Sequence, residues 1–233
     1  MKNKAFTLAE VLITLGIIGV VAAFTLPTLI SKYQEHVIIS KYKKMYSTLA
    51  NAYNLAIAEN GSPDQWQVET QIDFLKKLEP YLNVSEKCYN KVGCTTMGNY
   101  VSLSGEIMYG NIYSSTGYSK LRLNNGFSIF MLRNPSSDCI YTYTDENGTT
   151  TTINNICAQC YGIITNTKSA KEHNVYGKDF FAFDFTKQAV MPTGYKTSDN
   201  IVKANCNKSI HGSGNGDTCG TWILRYHNMD YLK

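Results

Sequence analysis

Glu10 is the single charge between Lys4 and Lys32, and the 21 residues that follow it, from Val11 to Ser31, are uncharged and mostly apolar. A carboxylate in such a run is costly in hydrocarbon unless something at the same depth offsets it. A simple anchor has no use for that cost. A cation would offset it. A cut between Ala5 and Phe6 would create an α-amino group one helical turn before Glu10. In the same chain that pair would be supported by the helix dipole. Between two chains it would fix the axial stagger of adjacent helices. The chemistry open to Glu10 is therefore charge pairing with an amine, of the same chain or of a neighbour.

Seven cysteines, all beyond residue 87, form the other reactive set. Cys88 and Cys94 are close enough in sequence to close a small loop. Cys206 and Cys219 bracket a Gly-rich stretch, 210–216. Of Cys139, Cys157 and Cys160 one must stay unpaired, and the spacing allows a 157–160 bond or Cys139 with either. Structural zinc takes four ligands, usually in two close pairs, and only Cys157 and Cys160 are so spaced. A redox role for this CxxC needs a βαβ setting, which the chain lacks. His36, His173, His211 and His227 are scattered, and no GxSxG, HExxH or phosphate-loop motif is present. Gly212-Ser213-Gly214-Asn215-Gly216 lacks the Lys-Ser/Thr of a phosphate loop and reads as a flexible loop. No catalytic residue, metal or cofactor is expected, so the chain is not read as an enzyme.

The elements follow from periodicity. The apolar run is long enough to cross about 30 Å of hydrocarbon as a helix. Lys2 and Lys4 mark its cytoplasmic flank. A secretory signal peptide is the rival reading, with Val21-Ala22-Ala23 imitating a cleavage site. The run continues past that point, and signal peptides have shorter cores. From Ser31 to Glu59 the helix becomes amphipathic, with Tyr33, Val37, Tyr42, Met45, Tyr46, Leu49, Tyr53 and Ala56 on one stripe. Asn60-Gly61 stops it. A helix from Phe6 to Asn60 is roughly 80 Å long, and Pro27 would weaken it near the junction.

Beyond it, Gln71–Asn83 reads as a short helix disturbed by Pro80, and Cys88–Asn99 as a loop. Strands are expected at Tyr100–Leu103, Lys120–Leu123, Phe127–Leu132, Cys139–Tyr143, Thr149–Ile153, Cys160–Thr165, Asp179–Phe185, Gln188–Met191 and Thr221–Tyr226. Asn124-Asn125-Gly126 and Asp145-Glu146-Asn147-Gly148 are hairpin turns. One long helix followed by strands in series predicts an α+β fold with an antiparallel sheet packed on the helix. Hydrophobic residues make up 43% of the chain and charged ones 17%, and 17 tyrosines suggest sticky, neutral surfaces. The net charge of +4 falls to +2 (20 basic minus 18 acidic) without the two lysines of residues 1–5. That balance gives no strong nucleic-acid bias. Cysteines lying only on the exported side of a Lys-flanked span point to an oxidising compartment and to disulfides.

Lys4-Ala5-Phe6-Thr7-Leu8-Ala9-Glu10, followed by the apolar run, resembles the class III leader of type IV pilins and type II secretion pseudopilins. The resemblance implies that a prepilin peptidase cuts between Ala5 and Phe6 and N-methylates Phe6. Gly16, Gly19 and Pro27 fall where the family has them within its assembly helix. The family usually has Gly before the cut; here it is Ala5. Gly177-x-Asp179-x-Phe181-x-Phe183, then Pro192-x-Gly194, resembles a run in many pseudopilin-like heads. The resemblance implies a lollipop built of a leader (1–5), a transmembrane and assembly helix (6–30), its amphipathic continuation (31–60) and a globular exported head (61–233). It favours a Cys206–Cys219 bond, because pilins commonly close a C-terminal loop this way. Some pseudopilins bind Ca²⁺ in a head loop, but the surroundings of Asp199 and Asn200 hold too few carboxylates for an ion that takes six or more oxygens.

The function so implied is a structural filament subunit, held single-pass in the inner membrane and then passed to a periplasmic or cell-surface filament. Its partners would be prepilin peptidase and other pilin or pseudopilin subunits, with nucleic acid only in a DNA-uptake filament. A minor tip pilin whose head binds a surface, a substrate or DNA is the alternative, ahead of a membrane-anchored exported enzyme.

Overall fold

The computed structural model describes residues 7–144, 150–165, 169, 171–212 and 214–233. The chain divides into two units, Met1–Val37 and Ile38–Lys233. Helix α1, Leu8–Asn60, begins in the first and ends in the second. In the first unit its side chains are exposed all round: Leu12, Leu15, Ile18, Phe24, Leu29 and Ile30 are each more than half exposed. This is the one described helix long and apolar enough to cross a membrane.

In the second unit α1 buries one stripe, Ile39, Tyr42, Met45, Leu49, Ala52, Tyr53 and Ala56. Their spacing of three and four residues keeps them on one face. The expected stripe began earlier, but Tyr33 is exposed. The helix stops where the Gly61 N–H, at φ +80°, donates to Ile57 O at 2.9 Å, the left-handed cap that glycine favours. Helix α2, Gln71–Leu78, starts on a reciprocal cap between Thr70 and Asp73 and ends before Pro80.

Among the described residues eleven strands follow. They are β1 (Val84–Tyr89), β2 (Tyr100–Val101), β3 (Ile107–Tyr109), β4 (Ser119–Leu123), β5 (Ser128–Met131), β6 (Ile140–Thr144), β7 (Thr150–Asn154), β8 (Ala158–Ile163), β9 (Asn174–Val175), β10 (Phe180–Phe185) and β11 (Val190–Pro192). Helices α3 (Asp199–Ala204) and α4 (Cys219–Tyr226) close the chain. Six strands form an antiparallel sheet in the order β1-β4-β5-β8-β10-β11, β3-β2-β9 form a second sheet, and β6 pairs with β7. The fold is α+β and pilin-like, with the long helix packed on the six-stranded antiparallel sheet.

The β4–β5 hairpin turns through Asn124–Gly126, with Gly126 at φ +83°. The β6–β7 pair forms as expected, while its turn, 145–149, lies outside the described residues. Two expectations fail. Residues 84–89, polar in the middle and partly assigned to a loop, form edge strand β1, whose exposed Glu86 and Lys87 suit an unpaired edge. Thr221–Tyr226 is helix α4, not a strand. Cys219 and Ile223, one turn apart, are both buried there, so helical spacing outweighs the β-branched and aromatic composition.

Strand β10 is buried on both faces. On one, Phe183 stacks near Tyr42 and Tyr46, and Phe185 meets Tyr53 and Phe74 edge-on at 5.0 and 5.1 Å. On the other, Phe180 lies 5.1, 5.3 and 4.8 Å from Tyr100, Tyr161 and Tyr176. Each buried aromatic contributes about 1.5–3 kcal/mol. Some of the tyrosines expected to make the surface sticky are core instead: Tyr42, Tyr53, Tyr100 and Tyr176 are fully buried. Lys120 is buried too. Its amine donates to the carbonyls of Ile112, Tyr113 and Ser115 at 2.9, 3.3 and 2.6 Å, and burial lowers its pKa to about 8.

Candidate functional site

The candidate site is the start of α1. Thr7 precedes the first helical residue, so its neighbours expose unpaired N–H groups. Its hydroxyl donates to Glu10 Oε2 at 2.9 Å, and its own N–H donates to the same oxygen at 2.9 Å. The Glu10 N–H returns a bond to Thr7 Oγ1 at 3.2 Å. This is a capping box: side chain and backbone of the two residues satisfy each other across the first turn. Thr7-x-x-Glu10 before an apolar run is its sequence signature, which reading Glu10 for its charge alone overlooks. Glu10 therefore has a partner within its own chain, besides any amine. Ala5 and Phe6 lie outside the described residues.

Further along, the hydroxyls of Thr14, Thr25 and Thr28 donate to the carbonyls of Val11, Val21 and Thr25 at 3.0, 3.0 and 2.8 Å. None of them depends on water, which suits a segment in lipid. Helix α1 runs through Pro27 without interruption. A Cβ added at Gly16 or Gly19 would meet nothing within 4 Å. Packing within this chain thus does not require either glycine.

In the head, disulfides join Cys88 to Cys94, Cys139 to Cys157 and Cys206 to Cys219, and Cys160 is free and buried. Cys157 immediately precedes β8 and Cys160 lies within it. Three residues of strand span about 10 Å, beyond the reach of a disulfide, so extended backbone excludes the 157–160 alternative. Cys157 is likewise withdrawn from any zinc pair. Burial pushes the Cys160 thiol well above its ordinary pKa, making it inert. Among the described residues, Glu86, Cys88 and Cys94 cluster as metal ligands would, but both sulfurs are in a disulfide. Asp199 accepts from Arg225 Nη1 at 2.7 Å.

The Gly177–Gly194 run has a structural explanation. Gly177 (φ +75°) and Gly194 (φ +78°) sit where added Cβ atoms would come within 2.7 Å of Cys219 Sγ and 2.6 Å of Thr218 Cγ2. Both glycines let the C-terminal disulfide segment approach the sheet. Asp179 Oδ2 accepts from the Val175 N–H at 2.8 Å and holds the turn before β10. Within the Gly-rich stretch inside the disulfide, Asn215 is held in place. Asn215 is buried, accepts from the Asn207 N–H and donates to the carbonyls of Asn207 and Ile210.

Residues 28–208 match the model of a family of unknown function, DUF6613. The chain belongs to that family. Residues 1–26 match the prokaryotic N-terminal methylation motif, the prepilin signature of type IV pilin-like precursors. No curated protein and no solved structure matches the chain. The two matches meet just before Thr28, inside the apolar half of α1. The methylation motif covers Thr7, Glu10, Gly16 and Gly19, whereas the family match covers most of the head.

Proposed function

We propose that this chain is a structural subunit of a type IV pilus-like filament or type II secretion pseudopilus. Prepilin peptidase cuts it between Ala5 and Phe6 and methylates Phe6, and the N-terminal helix then carries assembly. One observation carries this reading. The only carboxylate in the exposed apolar part of α1, residues 8–31, is Glu10 in its first turn, and it lies inside the match to the methylation motif. After the cut, Phe6 carries the amine and Glu10 lies one turn away.

The capping box refines the proposal. Glu10 Oε2 already holds the first turn of its own helix together. Its other carboxylate oxygen is left to meet the amine of a neighbouring subunit. That contact forms only at the correct stagger, and it neutralises two charges in an apolar bundle. Removing one partner strands the other charge. In the bilayer, by contrast, Glu10→Ala deletes the only charge in the span and eases insertion. The head rides outside the membrane, in a compartment that keeps its three disulfides oxidised.

Expression with and without a prepilin peptidase, followed by intact-mass analysis, tests the processing step. The expected product begins at N-methyl-Phe6. A mature chain beginning at Phe24 would support a signal peptide instead.

A further inference from the structure

The head contains a cavity of about 510 Å³, lined among others by Tyr109, Arg133, Gln159, Tyr161 and Asp217. A pocket of this volume suits a small molecule. A second groove, lined by Asp184 and Lys196, shares Gln159 and Asp217 with it.

Its polar groups are unevenly charged. Asp184 is buried, and its Oδ1 accepts from Gln159 Nε2 at 2.7 Å and Thr193 Oγ1 at 2.9 Å. Asp217 is partly buried, and desolvation, aided by Asp184, raises its carboxyl to about 6. The groups facing Asp217 are Asp184, Arg133, Tyr109, Tyr161 and Tyr176. Arg133 is the one cation among them, and it is exposed at the rim, screened by solvent. One carboxyl, Asp217, thus lines the cavity, with Asp184 in the adjoining groove and one guanidinium, that of Arg133, at the mouth. The fully buried Tyr176 hydroxyl lies against Asp217 yet makes no hydrogen bond of ordinary geometry. Above the floor, Tyr109 and Tyr161 meet edge to face at 5.8 Å, with their hydroxyls 3.3 Å apart.

We propose that this cavity binds a small organic amine, its protonated nitrogen at the Asp217 carboxylate and its apolar body against Tyr109 and Tyr161. An anion would meet the Asp217 carboxyl, with Asp184 close behind it. A neutral ligand would bring the partly buried Asp217 carboxylate no compensating charge. An ammonium group supplies both the missing charge and N–H donors, and tyrosine faces attract cations. The affinity depends on the Asp217 carboxylate being ionised, so it falls by about tenfold from pH 7.5 to pH 5.

The test is calorimetric titration of the detergent-solubilised full chain with tyramine, benzylamine and cadaverine. Tyrosol, which replaces the tyramine amine by a hydroxyl, is the neutral control. At least one amine is expected to saturate one site, with tyramine at least tenfold tighter than tyrosol. Asp217→Asn should abolish binding while its melting transition and three disulfides persist. Arg133→Gln should keep binding or strengthen it. Saturation by none of the amines, equal binding of tyramine and tyrosol, or full binding by Asp217→Asn would each overturn the proposal. None of these results bears on filament assembly, which rests on the N-terminal helix.

Discussion

The Thr7 hydroxyl donates to the Glu10 carboxylate at 2.9 Å, and the Glu10 N–H donates back to the Thr7 hydroxyl at 3.2 Å. The carboxylate that an apolar helix can least accommodate is thereby fixed at its first turn. On the proposed account two roles meet on one side chain: the capping seen within the chain and charge recognition between chains. They are separable, because glutamine serves a capping box as well as glutamate does but carries no charge. Thr7→Ala removes the cap and keeps the charge. It is expected to lower the yield of assembled subunit only partially, read as the pelleted fraction beside wild type. Complete loss in Thr7→Ala would mean that the cap, not the charge, governs assembly.

Strand β8 touches α1 through a glycine. A Cβ at Gly162 would stand 2.9 Å from both Met45 Cγ and Phe183 Cε2. Gly162→Ala is expected to destabilise the head by about 1–3 kcal/mol through overpacking, seen as a lower midpoint in chemical denaturation. An unchanged midpoint would show that the helix–sheet interface is slack.

The Cys206–Cys219 bond closes a loop of 13 residues' separation. Replacing both by serine is expected to cost about 3 kcal/mol. Peptide mapping without reductant should recover the three bonds, with Cys160 alkylated only after unfolding. Recovery of a 157–160 peptide would contradict the strand geometry of β8.

Asp217 makes the ligand-free head pH-sensitive. Its folded pKa, about 6, lies above the ordinary carboxylate value of 3.8. Between these values the folded state binds more protons than the unfolded one. The stability from this group is therefore full below about pH 4 and is lost as pH rises through 6. Asp217→Asn should remove that slope and stabilise the head at pH 7 by on the order of 2 kcal/mol. A slope unchanged by the substitution would mean that the carboxyl is already compensated.

How far the sequence could be read depended on whether local pattern and tertiary environment agreed. They agreed along α1, where Tyr42, Met45, Leu49 and Tyr53 recur at helical spacing and are all buried. They agreed at the β4–β5 turn, and in β10, whose Phe181, Phe183 and Phe185 face one core. They disagreed in α4, where a short apolar run fits helix and strand equally well and contacts with α3 and β10 decide. They disagreed again in β1, whose polar residues suit an edge rather than a core. The cavity was invisible in sequence, because it joins Arg133, Gln159 and Asp217 from three distant segments. At the N-terminus the methylation motif was legible, while the reciprocal role of Thr7 emerged only with the geometry of the first turn.

The most direct measurement is the fate of Glu10→Gln in the native host. Tagged wild-type and variant chains are compared in membranes and in the sheared filament fraction. The charge account predicts that Glu10→Gln is inserted, cut at Phe6 and disulfide-bonded like wild type. It also predicts that the variant is nearly absent from filaments, although its cap is intact. Incorporation of Glu10→Gln at the wild-type level would contradict the claim that the Glu10 charge directs assembly.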